Sequence, residues 1–451
     1  MGLFGTLLAS TGALQAFQKA LEVAQNNVGN VSTPGFAKQR MILEAMPFQA
    51  EAGLPGGVTY GGVHDFRDRY AEQAVQRRQE DYGLSDQRVA DLTRLEPYFD
   101  VTGGQGFPGA LDGFYKSVSG WSVMPNNQVA REAVIEQATS LAARMVDTAN
   151  GVLNTRAAAD QEIRNTVDTI NHLTGILRDL NAQLRQDFRQ AEDPAFGARL
   201  NSTLEELAEY VEFTTLKQAD GTTTVLLGGQ TPLVLGDRQY EIHADISSDQ
   251  ARITDAADRD ITAQVSRGRL GGVLDVRNNT LPEFLDGLNR LAAGLADRVN
   301  AILANGVDLN GQPGAALFAY DTAENAASTL RVTNISAEEL AGAAASAPGG
   351  NSNVLGLMDL VDSPQIDGAS FTAYYGALAR NMGQALETAQ EDLRTNEQLL
   401  LQARTLRNEA SGVSLDEEAV HLIEFQRAYQ ASAKLITVLD DLTEITINLL
   451  Q

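Results

Sequence analysis

LFGTLLASTGALQAFQKALEVAQNNVGNVSTPGF, residues 3–36, is the stretch from which the rest of the chain can be read. Leu7, Leu14, Leu21 and Val28 recur at heptad spacing, and Leu3, Ser10, Phe17, Ala24 and Val31 hold the second position of the same repeat. This a/d pattern, kept over about four repeats, predicts a coiled-coil helix. The helix then meets Asn26-Asn27-Val28-Gly29-Asn30. Asn side chains compete for backbone hydrogen bonds and favour caps over helix interiors. Gly29 can take the left-handed conformation that ends helices. Thr33-Pro34-Gly35-Phe36 fits a type II turn, with Pro34 at i+1 and Gly35 at i+2. The segment is therefore expected to end a helix and redirect the chain at a fixed angle.

The other end of the chain carries the same period. Leu422, Phe425, Tyr429, Ser432, Ile436, Leu439, Thr443, Thr446 and Leu450 follow the three-and-four spacing of a seam, flanked by Ile423, Leu435, Leu442, Ile445 and Leu449. One seam cannot bury both sets, so this helix needs more than one neighbour. Either end alone would read as an ordinary buried terminal helix. Two heptad ends on one chain favour packing on each other, within or between subunits.

Working inward, long helices are expected over 65–96, 131–154, 160–188, 281–304 and 371–408, with Pro97 stopping the first and Pro282 suited to a first helical turn. Residues 211–276 change character. Turn signals at Asp220-Gly221, Gly228-Gly229 and Gly236-Asp237 separate expected strands at 222–227, 232–235, 240–246 and 261–265. Residues 316–365 are mixed and rich in Gly, Ala and Ser, with a short strand at 330–332; the uncharged stretch 341–358 reads as loop, and 51–63 as a loop or hairpin. The expected fold class is thus mainly α with β-rich insertions, elongated and multi-domain. The division is a terminal coiled coil (1–40 with 411–451), a helical body (41–210, 277–315 and 366–410), a β-rich insertion (211–276) and a mixed outer insertion (316–365).

Composition removes several function classes. The chain has 451 residues, 43% hydrophobic content and a net charge of −25. So acidic a surface repels phosphate, which argues against nucleic acid and anionic membrane as partners. There is no cysteine, hence no disulfide, thiolate metal site or cysteine nucleophile. The first charge is Lys19, so no basic n-region of a Sec signal is expected, and no apolar run is long enough to span a bilayer. Gly104-Gln105-Gly106-Phe107-Pro108-Gly109 matches a dinucleotide-loop pattern, but lacks the strand–turn–helix context that such a site needs. Asp308-Leu309-Asn310-Gly311-Gln312-Pro313 begins like a calcium loop and fails at Pro313 and Ala319. His64, His172, His243 and His421 are scattered, with no HExxH pair. No catalytic residue, metal ligand or cofactor site is expected.

Ser10…Gly12-Ala13-Leu14…Ala20-Leu21…Asn26-Asn27-Val28…Asn30…Thr33-Pro34-Gly35-Phe36 resembles the N-terminal signature of the flagellar axial proteins, which comprise rod, hook and hook-associated proteins. Residues 411–418 (SGVSLDEE) and 425–433 (FQRAYQASA) resemble the matching C-terminal signature. In the interior, 220–236 and Arg269-Leu270-Gly271-Gly272-Val273-Leu274-Asp275, continuing to 308–311, are similar to the hook-associated protein 1 family. Gly29 departs from the Ala common at that position. The resemblance implies that both chain ends form a coiled coil lining an axial channel, with Leu7, Leu14, Phe17, Leu21 and Val28 packing with Leu422, Phe425, Tyr429, Ile436 and Leu439. It implies a junction ring between hook and filament, export through the flagellar type III system, and three partners besides self-assembly. These are hook protein, hook-associated protein 3 and a cytosolic export chaperone on the C-terminal helix. Other readings stay open at this point: hook-associated protein 3 or flagellin, a coiled-coil scaffold or adhesin without a flagellar role, and an enzyme housed in 211–276.

Overall fold

In a computed structural model of the chain, residues 3–49, 54–99 and 106–448 are described. The Leu449 and Leu450 positions of the C-terminal pattern, and Gly104 and Gln105 of the glycine pattern, lie outside the described residues, as does the side chain of Leu3. The chain opens with α1 (Leu3–Gly29), then a β-hairpin whose outer pair is β1 (Gln39–Ala45) and β4 (Val58–Asp65), enclosing β2 (Phe48–Gln49) and β3 (Leu54–Pro55). Helices follow: α2 (Arg69–Leu95), α3 (Phe107–Val123), α4 (Gln128–Gln186) and α5 (Pro194–Tyr210). An antiparallel meander comes next, β5 (Phe213–Lys217), β6 (Thr223–Leu227), β7 (Thr231–Leu235) and β8 (Arg238–Gln239), and then the ribbon of β9 (His243–Asp245) and β10 (Arg252–Thr254). After α6 (Gly268–Asp275), a π-helical turn at Val276–Thr280 and α7 (Leu281–Ala304) come β11 (Gly306–Val307), β12 (Phe318–Ala319), α8 (Ala326–Thr329), β13 (Arg331–Val332), β14 (Ala343–Ala344) and α9 (Ser352–Met358). The chain closes with α10 (Phe371–Ser411) and α11 (Leu415–Asn448).

Several elements differ from the sequence expectation, each for a local reason. The helices expected at 131–154 and 160–188 are one 59-residue helix, α4. Residues 155–159 (TRAAA) hold no Gly or Pro, Ala is the strongest helix former, and the Thr155 hydroxyl folds back to donate to the Gly151 carbonyl (2.9 Å). Helix α2 starts at Arg69, later than expected, because the Asp68 carboxylate caps it by accepting from the N–H groups of Tyr70 (2.8 Å) and Ala71 (3.2 Å). Helices α3 and α5 are not among the long helices expected; each carries a proline, Pro108 or Pro194, in its first turn, where a missing N–H goes unnoticed. The strand expected at 261–265 is a 3₁₀ turn at Thr262–Gln264. There the Asp260 carboxylate accepts from both the N–H (2.9 Å) and the hydroxyl (2.6 Å) of Thr262, a local bond that competes with strand pairing. Part of the uncharged stretch 341–358 is helix α9, which buries Val354 and Leu357. Gly29 has no left-handed conformation; the left-handed glycine of this region is Gly35, at φ +72°.

The chain divides into two compact units, with residues 1–82, 169–242 and 396–451 in the first and 83–168 and 243–395 in the second. Three of the four boundaries between them fall inside α2, α4 and α10, and the fourth falls between β8 and β9. The second unit holds the large apolar core. Phe107, Leu111, Phe114, Val118 and Trp121 form the buried face of α3, at three-and-four spacing. They share a cluster with Leu288, Leu291, Leu295 and Val299 of α7 and Phe371 and Tyr375 of α10. The Phe107 and Tyr375 rings lie 4.9 Å apart, and the Arg131 guanidinium sits 5.2 Å above the Trp121 ring.

A recurrent device holds the β segments to the helices. Asn is a weak helix-interior residue, yet several helices carry one whose carboxamide pairs both backbone groups of a neighbouring residue. Asn181 on α4 donates to the Thr223 carbonyl (2.8 Å) and accepts from the Thr223 N–H (2.9 Å). Asn171 treats Ile242 in the same way (2.8 and 3.0 Å), and Asn278, in the π turn, treats Ala251 so (2.9 and 2.8 Å). Asn300 on α7 does it to Phe318 (2.8 and 3.1 Å). Each amide acts as a one-residue strand partner and satisfies backbone groups that would otherwise be orphaned.

One buried acid gives the second unit a pH signature. Asp91 on α2 has no exposed surface. Burial pushes its carboxyl up to about 6, against the lowering effects of the Gln87 amide (3.0 Å) and the Arg94 guanidinium (3.0 Å). A folded pKa above the unfolded 3.8 means that protonated Asp91 favours folding. Its contribution is full below pH ~4 and is lost as pH rises through about 6. Asp91→Asn should therefore be more stable than the parent at pH 8, by roughly 1–3 kcal/mol, and equal to it at pH 4. Guanidinium denaturation at both pH values checks this, and an equal difference at the two would refute it.

Candidate assembly interface at the chain ends

Helices α1 and α11 pack on each other, and α1 also packs on the β1–β4 hairpin. The half-buried positions of α11 include Leu422, Phe425, Tyr429, Ser432, Ile436, Leu439 and Thr443, the seam its sequence spacing describes apart from Thr446, which is exposed. On α1, Leu7, Leu14, Phe17 and Leu21 are half-buried, while the fully buried residues are smaller: Ala16, Ala20, Ala24 and Asn27. These small side chains repeat every three or four residues along one face, and small residues let helix backbones approach closely. Val28, expected in the seam, is exposed, because the buried face at the end of α1 is taken by Asn27.

The turn that follows is tied to the rest of the first unit by hydrogen bonds. The Phe36 N–H donates to the Thr33 carbonyl (3.2 Å), closing a turn with Pro34 and left-handed Gly35 at its centre. A Cβ on Gly35 would collide with the Ala198 carbonyl oxygen on α5, so the position needs glycine for space as well as for φ. Asn30 stops α1 by a different route from the expected glycine. Its amide donates to Asn26 Oδ1 (2.8 Å) and its own oxygen accepts from the Thr33 hydroxyl (3.0 Å). Asn26, Asn30, Thr33, Pro34 and Phe36 also line a recess of about 450 Å³ against the start of α5, with Asp193 and Arg199 as its charged lining.

Beneath the turn lies a chain of ion pairs that sequence spacing did not reveal. Arg67 donates to the Gly35 carbonyl (2.6 Å) and to Glu72 (2.7 Å). Arg407, near the end of α10, bridges Glu72 (3.5 Å) and Glu205 on α5 (2.5 Å), and Arg404 adds a second contact to Glu205 (3.0 Å). Burial opposes the Arg407 charge, but the hydrogen bond and charge of Glu205, with Glu72, outweigh it and raise its pKa above the usual guanidinium value. The two acids that Arg407 bridges stand more than a hundred residues from each other and from it, and no local pattern links the three.

Helix α11 keeps a second apolar row bare. Leu435, Val438, Leu442 and Ile445 recur at three-and-four spacing beside the seam and are 45–56% exposed. Ile423, another of the flanking residues, is equally bare. In the second unit, the Asp308 carboxylate is occupied by the N–H groups of Asn310 (2.8 Å) and Gln312 (2.7 Å). Among the described residues no cluster of three His, Cys, Asp or Glu could hold a metal ion, and no helix is long and apolar enough to cross a membrane.

Residues 92–318 match the family described as flagellar hook-associated protein FlgK helical domain, half of the chain. The chain belongs to the FlgK family. Its two ends match other flagellar families: residues 7–36 match "Flagella basal body rod protein", and residues 406–449 match "Flagellar basal body rod FlgEFG protein C-terminal". The segments carrying the heptads and the turn are thus the ones in which this chain matches the rod-protein families. Flagellar hook-associated protein 1 of Bacillus subtilis is 25% identical over 97% of this chain and 96% of its own length. The Salmonella typhimurium protein of the same name is 24% identical over 71% of this chain and 61% of its own. The solved structure of the flagellar hook junction protein FlgK from Burkholderia pseudomallei superposes with a TM-score of 0.66 at 14% identity, over 75% of this chain and 99% of that one, which establishes the FlgK fold.

Proposed function

We propose that this chain is a structural, non-enzymatic subunit of the bacterial flagellum that joins hook to filament and is needed for filament assembly and motility. The observation that carries the proposal is the bare apolar row of α11, Leu435, Val438, Leu442 and Ile445, on a helix that already has one partner within the chain. An amphipathic face of this kind gains order and burial by packing on further subunits. Each large side chain fully buried in that way contributes roughly 1.5–3 kcal/mol before the ordering cost is subtracted. The names of the relatives, hook-associated protein 1 and hook junction protein, support the same place in the flagellum.

The subunit self-assembles into a short ring through its ends, residues 1–40 and 411–451. Hook protein lies on one side and hook-associated protein 3 on the other. Before assembly a cytosolic chaperone covers the C-terminal helix, and the chain leaves the cell through the flagellar type III export system. The four-part division read from the sequence describes the labour: ends for axial packing, a helical body, and two insertions on it. Deleting the gene and viewing the cells by electron microscopy tests the proposal. Hooks without filaments, with unpolymerised flagellin in the medium, are expected. Normal flagella would refute the junction role, and loss of the hooks would move the protein down into the rod or hook.

A further inference from the structure

Asn27 lies near the end of α1, yet its side chain does not cap that helix. It is 1% exposed and bonds two other elements at once. Its Nδ2 donates to the Gln39 carbonyl (2.8 Å) and to Glu418 Oε1 (3.0 Å), and its Oδ1 accepts from the Gln39 N–H (3.0 Å). One amide therefore joins α1, the first residue of β1 and the first turn of α11. Glu418 is itself 4% exposed, and its carboxylate leans on this neutral amide. The nearby cations Lys38 (3.8 Å) and Arg40 (3.5 Å) turn to Glu417 instead. The backbone is tied at the same level, where the Lys38 N–H donates to the Ser411 carbonyl (2.8 Å) and the Asp68 N–H to the Ser411 hydroxyl (2.9 Å).

Burial specifies the register of β1 only weakly. In β1 only Gln39 is buried and Met41 half-buried; the other five residues are exposed, and the pairing with β4 is irregular between Ile42 and Leu43. Strands with such weak burial patterns slip easily, and a one-residue slip turns every side chain to the other face. The pair of bonds from Asn27 ties Gln39, the β1 residue opposite Asp65, to α1, next to the Phe66 N–H bond to the Lys38 carbonyl (3.0 Å) that closes this end of the hairpin. What helps to pin Asn27 is Glu418, which is present only when α11 lies on α1.

We infer that the Asn27–Gln39–Glu418 contact is a conformational switch that makes seating of α11 on α1 and native pairing of the β1–β4 hairpin a single event. A subunit whose C-terminal helix is held away would leave its hairpin unregistered. The hairpin's exposed apolar side chains, Ile42, Leu43, Phe48 and Tyr60, would then lose their fixed positions. The coupling runs both ways, as linkage requires: a hairpin held in register also favours α11 in its seat. This inference concerns the single chain and stands whether or not the junction role does.

Amide hydrogen exchange read by mass spectrometry tests it on the full-length chain. Glu418→Ala leaves Asn27 Nδ2 buried with one partner fewer, and Asn27→Asp sets two carboxylates against each other. Each is expected to speed exchange about tenfold in both 39–45 and 58–65 and in 415–425, with 281–304 unchanged. Glu418→Gln retains an acceptor for Asn27 and should behave as the parent. When Asn27→Asp is combined with Glu418→Gln, the amide introduced at position 418 can donate to the carboxylate introduced at position 27, so protection should partly return. Should Asn27→Asp fail to fold, Leu439→Asp loosens α11 without touching the contact and must loosen the hairpin too. A hairpin that stays protected while α11 exchanges freely, in any variant or in the parent, overturns the inference, as does Glu418→Gln behaving like Glu418→Ala.

Discussion

Arg407→Leu is expected to destabilise the first unit by roughly 2–4 kcal/mol. The guanidinium is 17% exposed and bridges Glu72 and Glu205, which are 9% and 19% exposed, so leucine would leave two nearly buried carboxylates short of a partner. Breaking a buried pair from one side costs about 3–5 kcal/mol because the remaining charge is uncompensated. The cost here falls towards or below the low end of that range, since Arg67 still reaches Glu72 and Arg404 still reaches Glu205. Arg407→Lys should recover only part of the loss, because an ammonium lacks the planar fork that spans two acids. Adding Glu205→Gln to Arg407→Leu should recover more by removing one stranded charge. Guanidinium denaturation followed by circular dichroism measures the shift. Trp121, the sole tryptophan, lies in the core of the second unit, and its fluorescence serves as an internal reference. A midpoint for Arg407→Leu within error of the parent would show that the bridge contributes nothing.

Leu439→Asp should leave a soluble chain with parental Trp121 emission and abolish incorporation into the flagellum. Leu439 is half-buried in the seam that α11 makes with α1, so within one chain the substitution removes only part of a leucine's burial, about 1–2 kcal/mol, and adds a charge that can still find water. In an assembly the same defect recurs in every subunit. The new carboxylate would also stand beside the bare row of Leu435, Val438, Leu442 and Ile445, whose burial the assembly needs. Leu14→Asp on α1 should give the same outcome from the other side of the pair. Complementing a deletion strain with each variant, then scoring swarming and viewing isolated flagella, reads the result. Normal junctions built from either variant would contradict the seam assignment.

The parts of this molecule legible from its sequence are those governed by interactions between near neighbours in the chain. Heptad spacing placed the two terminal helices and picked out Leu422, Phe425, Tyr429, Ile436 and Leu439 as one face of α11. Pro34-Gly35 carried the conformational preference of the turn they form, and Pro282 marked the start of α7. A local rule misled where two of them competed, as where Asp260 diverts Thr262 from a strand.

Asparagines inside helices are a signal for a longer-range feature. Asn27, Asn171, Asn181 and Asn300 are poor helix formers, and each sits where its amide pairs with a passing backbone. Their partners could not be named beforehand, since an amide accepts any peptide group that the fold brings within about 3 Å. The same holds for Arg407 with Glu72 and Glu205, and for Glu418 with Asn27, 391 positions away. Periodicity and turn chemistry act within a few residues, so the order of residues is enough to dictate which segments are helical and which of their faces are apolar. Which buried face of α1 is used, which row of α11 stays bare and which polar groups meet depend on the path of the whole chain, because those contacts join residues that no local rule relates.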